Sequence, residues 1–247
     1  SLGDQLFIRS AKGMTPTPLA ENIVGKVQEA LQLLSSSVTE GTVFDPQTSD
    51  KIFRLSMNDL SEAMLLPKLM EKFEQQAPNA GIECYVTPRD SLEQELTKGV
   101  IDLALDVPVV LSSQISVQAI SKERYVCVVR NDHPLVDKTI TLDQYLQLDH
   151  VQVSSRRKGL GFEDVALQRL GRQRKVRVRV PHHQVAPLLV QDSNMVLTLP
   201  FGMARNTGLK VLELPFSMAP VDWNIYWHKN ADMDQANLWL RNILAGL

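Results

Sequence analysis

From residue 51 onward, short apolar runs typical of β-strands alternate with amphipathic helical segments. Such alternation favours a parallel sheet covered by helices. The first group of predicted elements comprises, in chain order, strand Ile52–Met57, helix Ser61–Gln76, strand Ile82–Thr87, helix Ser91–Lys98 and strand Ile101–Leu105. We expect Pro67 to fall in or close to the first turns of the first helix, where proline costs little. The predicted buried face of that helix consists of Leu65, Leu66, Leu69, Met70 and Phe73.

A second group of elements follows and predicts a second unit of the same kind. Its strands are expected near Val117–Ile120, Tyr125–Arg130, Val151–Val153, Val176–Val180 and Met195–Leu199. Its helices are expected at Leu142–Leu146, Phe162–Leu170 and Val185–Gln191. The last strand, Trp223–His228, and the last helix, Asp234–Leu244, have no sheet of their own and should return to the first unit. The predicted fold is therefore α/β with two Rossmann-like lobes: lobe I from residues 51–108 and 214–247, lobe II from residues 109–213.

A long amphipathic helix is predicted ahead of the lobes, over residues 17–40. Thr17 is suited to the N-cap and Pro18 to the first helical position. One apolar stripe runs along roughly 30 Å of this helix, and its members are Leu19, Ile23, Val27, Leu31, Leu34 and Val38. The stripe can pack on its own domain or on a second copy of the helix. The Gly/Asp/Pro/Ser-rich stretch 41–50, a predicted hinge loop, favours dimerisation between helices.

Composition excludes several classes of protein. The formal net charge of −2 gives no general attraction to nucleic-acid phosphates. Cys84 and Cys127 each lie in an apolar run, which is typical of buried thiols in a reducing compartment. No apolar run approaches the roughly 18 residues of a membrane span, and no leader opens the sequence, so a cytoplasmic location is expected. Catalytic motifs such as Gly-x-Ser-x-Gly and His-Glu-x-x-His are absent, so we expect no enzyme activity, metal or cofactor.

Several strings occur in a particular order along the chain. The first runs from Leu2 to Ala20, immediately before the long helix. The others are Leu66-Pro67-Lys68-Leu69, Gly99-Val100-Ile101-Asp102-Leu103, Arg124-Tyr125-Val126-Cys127, Asp132-His133-Pro134-Leu135 and Tyr226-Trp227-His228. Together they resemble the LysR-type transcriptional regulators, and the last string resembles the branch that includes nodulation and aromatic-catabolism regulators.

This resemblance implies an architecture and a function. Residues 1–16 would be a remnant of the wing of a winged helix-turn-helix, and residues 17–40 a linker helix that dimerises. The lobes would have the fold of type-2 periplasmic binding proteins and would bind a small-molecule effector in the cleft between them. The resemblance also implies a homodimer or homotetramer that binds promoter DNA through a winged helix-turn-helix upstream of Ser1.

Candidate effector-binding residues on lobe I follow predicted strands, because ligands in open α/β sheets bind beyond the carboxyl ends of strands. Ser56 and Asn58 match the family's effector-contact position, whereas Asp59 is expected to cap the next helix. Arg89 is either a carboxylate clamp or a solvated side chain. Asp106 and Pro108 are expected at the first crossing between the lobes, where they can contact a ligand.

Lobe II offers a second set of candidates. Ser154 and Arg156 lie in a loop between a strand and a helix, where hydroxyl, backbone N–H and guanidinium groups can converge on an anion. A flexible basic surface loop is an equally weighted alternative. His182 and Gln184 follow the next strand and can donate to a carboxylate or a phenol, or can simply cap a helix.

Met203 and Trp223 can supply apolar walls to the cleft or belong to the core. Donors beside apolar walls point to a small organic or aromatic acid as the effector. A solute-binding protein of the same fold that serves a transporter is the alternative function, and an enzyme built on this fold is a third.

Overall fold

A computed structural model describes residues 6–10, 13–40, 44–155 and 157–247 of the chain. The chain divides into two compact units, Ser1–Asp45 and Pro46–Leu247. Within the first unit, β1 (Phe7–Ser10) and β2 (Gly13–Pro16) pair as an antiparallel hairpin. Residues 1–5, 11–12 and 41–43 lie outside the described part, so much of the predicted wing remnant and part of the hinge loop are not covered.

The predicted long helix is present as α1 (Pro18–Glu40). The Ala20 backbone N–H donates to Thr17 Oγ1 at 3.3 Å, which confirms Thr17 as the N-cap and Pro18 as the first helical residue. Along the predicted stripe the accessible surface increases toward the middle of the helix. Leu19 and Ile23 are half-buried, whereas Val27 and Leu31 are 49% and 60% exposed. The side chains of Leu34 and Val38 lie outside those that the structure describes.

Lobe I is built on a five-stranded sheet. Its elements, numbered in chain order, are β3 (Ile52–Ser56), α2 (Asp59–Gln76), β4 (Gly81–Tyr85), α3 (Arg89–Thr97), β5 (Leu103–Asp106), β6 (Ile115–Glu123), β12 (Val221–His228) and α8 (Gln235–Ala245). The strand order is β4-β3-β5-β12-β6. The strand β3 is parallel to β4 and β5, and β12 is antiparallel to β5 and β6.

Lobe II contains a second five-stranded sheet. Its elements are β7 (Tyr125–Val129), α4 (Leu142–Gln147), β8 (Asp149–Val153), α5 (Phe162–Arg169), β9 (Lys175–Val180), α6 (Ala186–Gln191), β10 (Val196–Pro200), α7 (Phe201–Ala204) and β11 (Lys210–Glu213). The strand order is β11-β7-β10-β8-β9. The sequence patterns missed α7 and β11, which are four residues long and too short for a clear periodicity.

The predicted boundary between the lobes at residue 109 is wrong. The strand β6, which the sequence pattern predicts in lobe II, pairs with the last strand β12 along its full length and so completes the sheet of lobe I. The chain therefore passes from lobe I to lobe II at Arg124, between β6 and β7, and not at Asp106–Pro108. Pairing between segments about a hundred residues apart leaves no local trace in the sequence of β6.

Two expectations for α2 are also wrong. The helix begins at Asp59, so Pro67 lies in its middle and not in its first turns. Met70 is 37% exposed and does not belong to the buried face, which consists of Leu60, Ser61, Leu65, Leu69 and Phe73. The apolar stripe is narrower than predicted because one side of the helix faces solvent beside the partly buried Leu66.

The cores of the two lobes are joined by a shared apolar cluster. In lobe I, the Phe73 ring lies 5.7 Å from the ring of Phe53 and 5.1 Å from that of Trp239. Leu60 of α2 packs in one cluster with Met203 of lobe II and with Trp223 of β12. This continuity holds the first turn of α2 against lobe II.

Both cysteines are free thiols, as predicted. Cys127 is buried and Cys84 half-buried. Burial raises the pKa of the Cys84 thiol to about 11 and that of Cys127 to about 12, so both stay protonated near neutral pH. Among the described residues no helix is long and apolar enough to cross a membrane.

Candidate ligand-binding cleft

Polar side chains meet at the carboxyl ends of three neighbouring strands of lobe I. Ser56, Asn58 and Asp106 line one small hollow of about 40 Å³, together with Thr87. This is where open α/β sheets bind ligands. The structure thus brings together three of the predicted lobe I residues, around a space large enough for water molecules but too small to enclose an aromatic acid.

The helix cap after β3 is Asn58, not Asp59 as predicted. The Asn58 side-chain oxygen accepts hydrogen bonds from the backbone N–H groups of Leu60 at 3.1 Å and Ser61 at 2.9 Å. The Ser61 hydroxyl in turn accepts from the Asn58 N–H at 3.0 Å, which completes a capping box. The oxygen of Asn58 is thereby used in the fold, and its amide N–H groups are the part that can donate to a ligand.

Arg89 and Asp106 lie together, paired in a bidentate arrangement. Arg89 Nε donates to Asp106 Oδ2 at 3.0 Å and Nη2 to Oδ1 at 3.1 Å. Asp106 Oδ1 also accepts from the Val107 N–H at 2.8 Å. Arg89 is therefore not an unpaired, solvated side chain. It can bind a ligand carboxylate only in competition with Asp106. Exposed pairs of this kind contribute about 1 kcal/mol or less, so an anionic ligand can compete for the guanidinium.

On lobe II the predicted loop residues follow β8 and β9. Ser154 is half-buried, and its backbone N–H donates to the Val180 carbonyl at 2.8 Å, which ties the ends of the two strands together. His182 and Gln184 are exposed, as is Pro108 in the loop after β5. Arg156 lies outside the described residues.

Met203 and Trp223 belong to the core and not to an open wall of the cleft. Trp223 is 1% exposed and Met203 9% exposed, and both belong to the cluster that joins the lobes. The Trp223 indole N–H has no hydrogen-bond partner among the described residues. Large apolar side chains near a cleft fill the core more often than they line it, which is why sequence alone left both readings open.

A buried ionic network lies beneath the loop that carries Ser154. The Arg174 side chain is fully buried, and its Nε donates to Asp164 Oδ1 at 2.6 Å while Nη1 lies 2.9 Å from Glu163 Oε1. Asp164 Oδ2 accepts from the Gly161 N–H at 2.6 Å. A Cβ atom at Gly161 would lie 2.6 Å from Glu163 Oε2, so a larger residue there would have to displace the Glu163 carboxylate. The network fixes the end of the loop at the start of α5.

The two acids of this network respond differently to burial. Burial raises the pKa of Glu163, and the neighbouring Arg174 offsets only part of that effect. Burial would also raise the pKa of Asp164, but its hydrogen bonds from Arg174 and from the Gly161 N–H outweigh burial and the pKa is lowered. The sequence does not predict a buried role for Arg174, because it lies in a run of basic residues, which is typical of an exposed surface.

A second pair that the sequence did not reveal links the two lobes across the cleft. The carboxylate of Asp59, at the start of α2, lies with Oδ1 3.2 Å from Nδ1 of His183, in the loop between β9 and α6. The backbone N–H of His183 donates to Asp59 Oδ2. The start of α2 in lobe I and the β9–α6 loop of lobe II therefore lie within hydrogen-bond distance of each other.

A larger hollow, of about 70 Å³, lies at the other end of lobe I, where β3 begins. Lys51, Asp102, His228 and Asn237 are among its lining residues. It opens away from the carboxyl ends of the parallel strands, where ligands of this fold bind. We therefore place the candidate site in the cleft, despite the greater size of this second hollow.

Comparisons with known proteins agree with the fold. Residues 47–246 match the family model of the LysR substrate binding domain. The transcriptional activator NahR of Pseudomonas putida is 33% identical over all of this chain and 84% of its own length. Nodulation protein D 3 of Rhizobium leguminosarum bv. phaseoli is 28% identical over 98% of this chain and 81% of its own length.

Among solved structures, the "probable transcriptional regulator PA0477" of Pseudomonas aeruginosa superposes with a TM-score of 0.76. It is 30% identical and covers all of this chain and 84% of its own length. These likenesses confirm the predicted resemblance and the two-lobed α/β fold, and they favour a regulator over a transport protein. The chain belongs to the LysR family of transcriptional regulators, and its two lobes are the ligand-sensing domain of such a regulator.

Proposed function

We propose that the cleft binds a small organic or aromatic acid and that binding changes how the two lobes are held together. The observation that carries this proposal is the Asp59–His183 contact between the lobes, together with the polar hollow that Ser56 and Asn58 line on lobe I. Arg89 supplies donors for an anion on one side once the ligand competes with Asp106 for the guanidinium, and the loop after β8 supplies donors on the other. We propose binding without chemical turnover.

A ligand can act as a signal only if it has different affinities for the two arrangements of the lobes. The hollow of about 40 Å³ is too small to enclose an aromatic acid and is lined by lobe I alone. We propose that an acid held between the lobes separates Asp59 from His183 or moves the loops around them. We propose that this change is passed to the subunits of a homodimer or homotetramer and alters promoter binding.

The ligand proposal predicts a thermal shift with carboxylic acids. Aromatic acids, aliphatic acids, amino acids and cationic amphiphiles are compared, and an acid present at 100 times its dissociation constant should stabilise the protein by about 2.7 kcal/mol. Arg156→Ala and His182→Ala should each weaken the shift. Arg169→Ala, which removes an exposed arginine at the far end of α5, is the matched control and should leave it unchanged.

Stabilisation only by cationic or uncharged compounds, unaffected by Arg156→Ala and His182→Ala, would contradict the acid proposal. Stabilisation by an acid in all variants alike would place the acid elsewhere on the molecule.

We propose that α1 dimerises through Leu19, Ile23, Val27, Leu31, Leu34 and Val38. The exposed Val27 and Leu31 support this, because an apolar stripe open to water is stabilised by pairing with a second copy. Leu31→Glu should convert the dimer into a monomer in sedimentation experiments. Asn22→Glu, on another face of the same helix, should leave the dimer intact; a dimer that survives Leu31→Glu would refute this role of the stripe.

A further inference from the structure

The loop between β9 and α6 presents two hydrogen-bond donors to one carboxylate. His183 offers its backbone N–H to Oδ2 of Asp59, and its ring Nδ1 lies 3.2 Å from Oδ1. Each oxygen of the carboxylate is therefore matched by a separate nitrogen of one residue. Two N–H donors in this arrangement can bind the two oxygens of a carboxylate. The carboxylate can belong to the chain or to a ligand.

The electrostatic surroundings favour an ionised carboxylate at this position. Burial by itself raises the pKa of Asp59, but the hydrogen bonds from His183 and the charges of His183 and His182 outweigh burial, and the pKa is lowered. Asp59 thus stays ionised at neutral pH, and the site is one in which a negative charge is stabilised.

The Asp59–His183 contact is open enough to solvent for a ligand carboxylate to replace that of Asp59. The side chains of Asp59 and His183 are each 23% exposed. Leu60, the next residue of α2, is buried in the apolar cluster that also contains Met203 of lobe II. Asp59 is thus held in place by the apolar contact beside it as well as by His183, and its removal from His183 would loosen the start of α2 from lobe II.

We propose that His183 is the receptor for the carboxylate of the effector, and that Asp59 occupies this receptor in the ligand-free protein as an internal competitor. This inference rests on the proposed function of the cleft as an acid-binding site. An acidic effector takes the place of the Asp59 side chain at His183, and the first turn of α2 is released from lobe II when it does so.

The test is a titration of the isotopically labelled protein with sodium benzoate, in which the amide resonance of His183 is followed by nuclear magnetic resonance. Asp59→Asn removes the competing charge and keeps the size of the side chain. Benzoate should bind Asp59→Asn more tightly than the unaltered protein by about tenfold or more, since hydrogen bonds to charged groups contribute about 1.5–3 kcal/mol. Neutral benzamide should not move the His183 amide in either protein.

Asp90→Asn is the matched control, because Asp90 also lies in the first turn of a helix on lobe I but is exposed and belongs to α3. It should leave the benzoate affinity unchanged. Asp59→Ala provides a second variant with the competing charge removed and should behave as Asp59→Asn does.

Equal affinity of Asp59→Asn and the unaltered protein for benzoate would overturn the inference, and so would a His183 amide that stays unmoved at the highest benzoate concentration the variant tolerates. A different outcome is that an acid from the thermal-shift experiment stabilises the protein in a manner that depends on Arg156, while benzoate leaves the His183 amide resonance of Asp59→Asn unchanged. In that case the cleft proposal stands and the His183 inference fails. Absence of stabilisation by every acid counts against the cleft proposal itself.

Discussion

Replacement of Arg174 by methionine is expected to lower the free energy of unfolding by about 3–5 kcal/mol, because removal of one partner of a buried ion pair leaves its partners' charge uncompensated. The guanidinium is fully buried and lies 2.6 Å from Asp164 and 2.9 Å from Glu163. Methionine matches the length of the arginine stem but supplies no donor. The measurement is urea denaturation of the protein and the variant at neutral pH.

The loss should depend on pH in a defined direction. The pKa of Asp164 is lowered in the folded protein, so its contribution to stability is present above its unfolded pKa and is lost as the pH falls through the folded value. Arg174→Met removes the group that lowers this pKa. The difference in stability between the variant and the unaltered protein should therefore shrink toward acidic pH, where both carboxyls can protonate.

Two further variants separate loss of charge balance from loss of packing. Arg172→Met removes an exposed arginine that pairs with Asp143 at the surface, and it should have a far smaller effect. Glu163→Gln and Asp164→Asn, added to Arg174→Met, should recover part of the loss because no unpaired charge is then left buried. An Arg174→Met variant as stable as Arg172→Met would show that the network does not hold the loop.

Trp223→Ala is the second substitution with a large expected effect, a loss of about 3–5 kcal/mol in the free energy of unfolding. Trp223 is 1% exposed and belongs to the apolar cluster that also contains Leu60 and Met203, so its truncation leaves a cavity between the lobes. Trp223→Phe should cost much less than half of that, because it keeps an aromatic ring and removes an indole N–H that has no partner in the described structure.

The same pair of variants decides between a core role and a ligand-lining role for Trp223. Thermal and urea denaturation in the absence of ligand should show the large difference between alanine and phenylalanine. A Trp223→Ala protein of nearly unchanged stability that loses only the response to an acid would mean that Trp223 lines the binding site and is not part of the core.

Local patterns in the sequence predict the elements well where the deciding interactions are local. Thr17 and Pro18 begin α1 through contacts within one helical turn, and α5 begins at Phe162 as predicted. Asn58 also caps through contacts within three residues, but the sequence predicts Asp59 as the cap, because both residue types cap helices. In the structure the Asp59 carboxylate contacts the distant His183 instead.

Distant interactions explain most of what the sequence did not predict. Asp59 and His183 are 124 residues apart in the chain. The strand β6 belongs to the sheet of lobe I because it pairs with the distant strand β12. Arg174 lies ten residues from Asp164, and its side chain becomes buried beside Glu163 and Asp164 only in the folded protein. Such contacts follow from how the elements pack and have no period or spacing that a single sequence displays.

Hydrogen exchange, measured peptide by peptide with and without the acid that stabilises most, tests the central claim that the cleft between the lobes is the sensing site. We expect altered exchange rates in residues 56–59 of lobe I and in residues 181–185 of lobe II, on both sides of the cleft. Slower exchange confined to the hollow at the start of β3, around Lys51, Asp102 and Asn237, would contradict it.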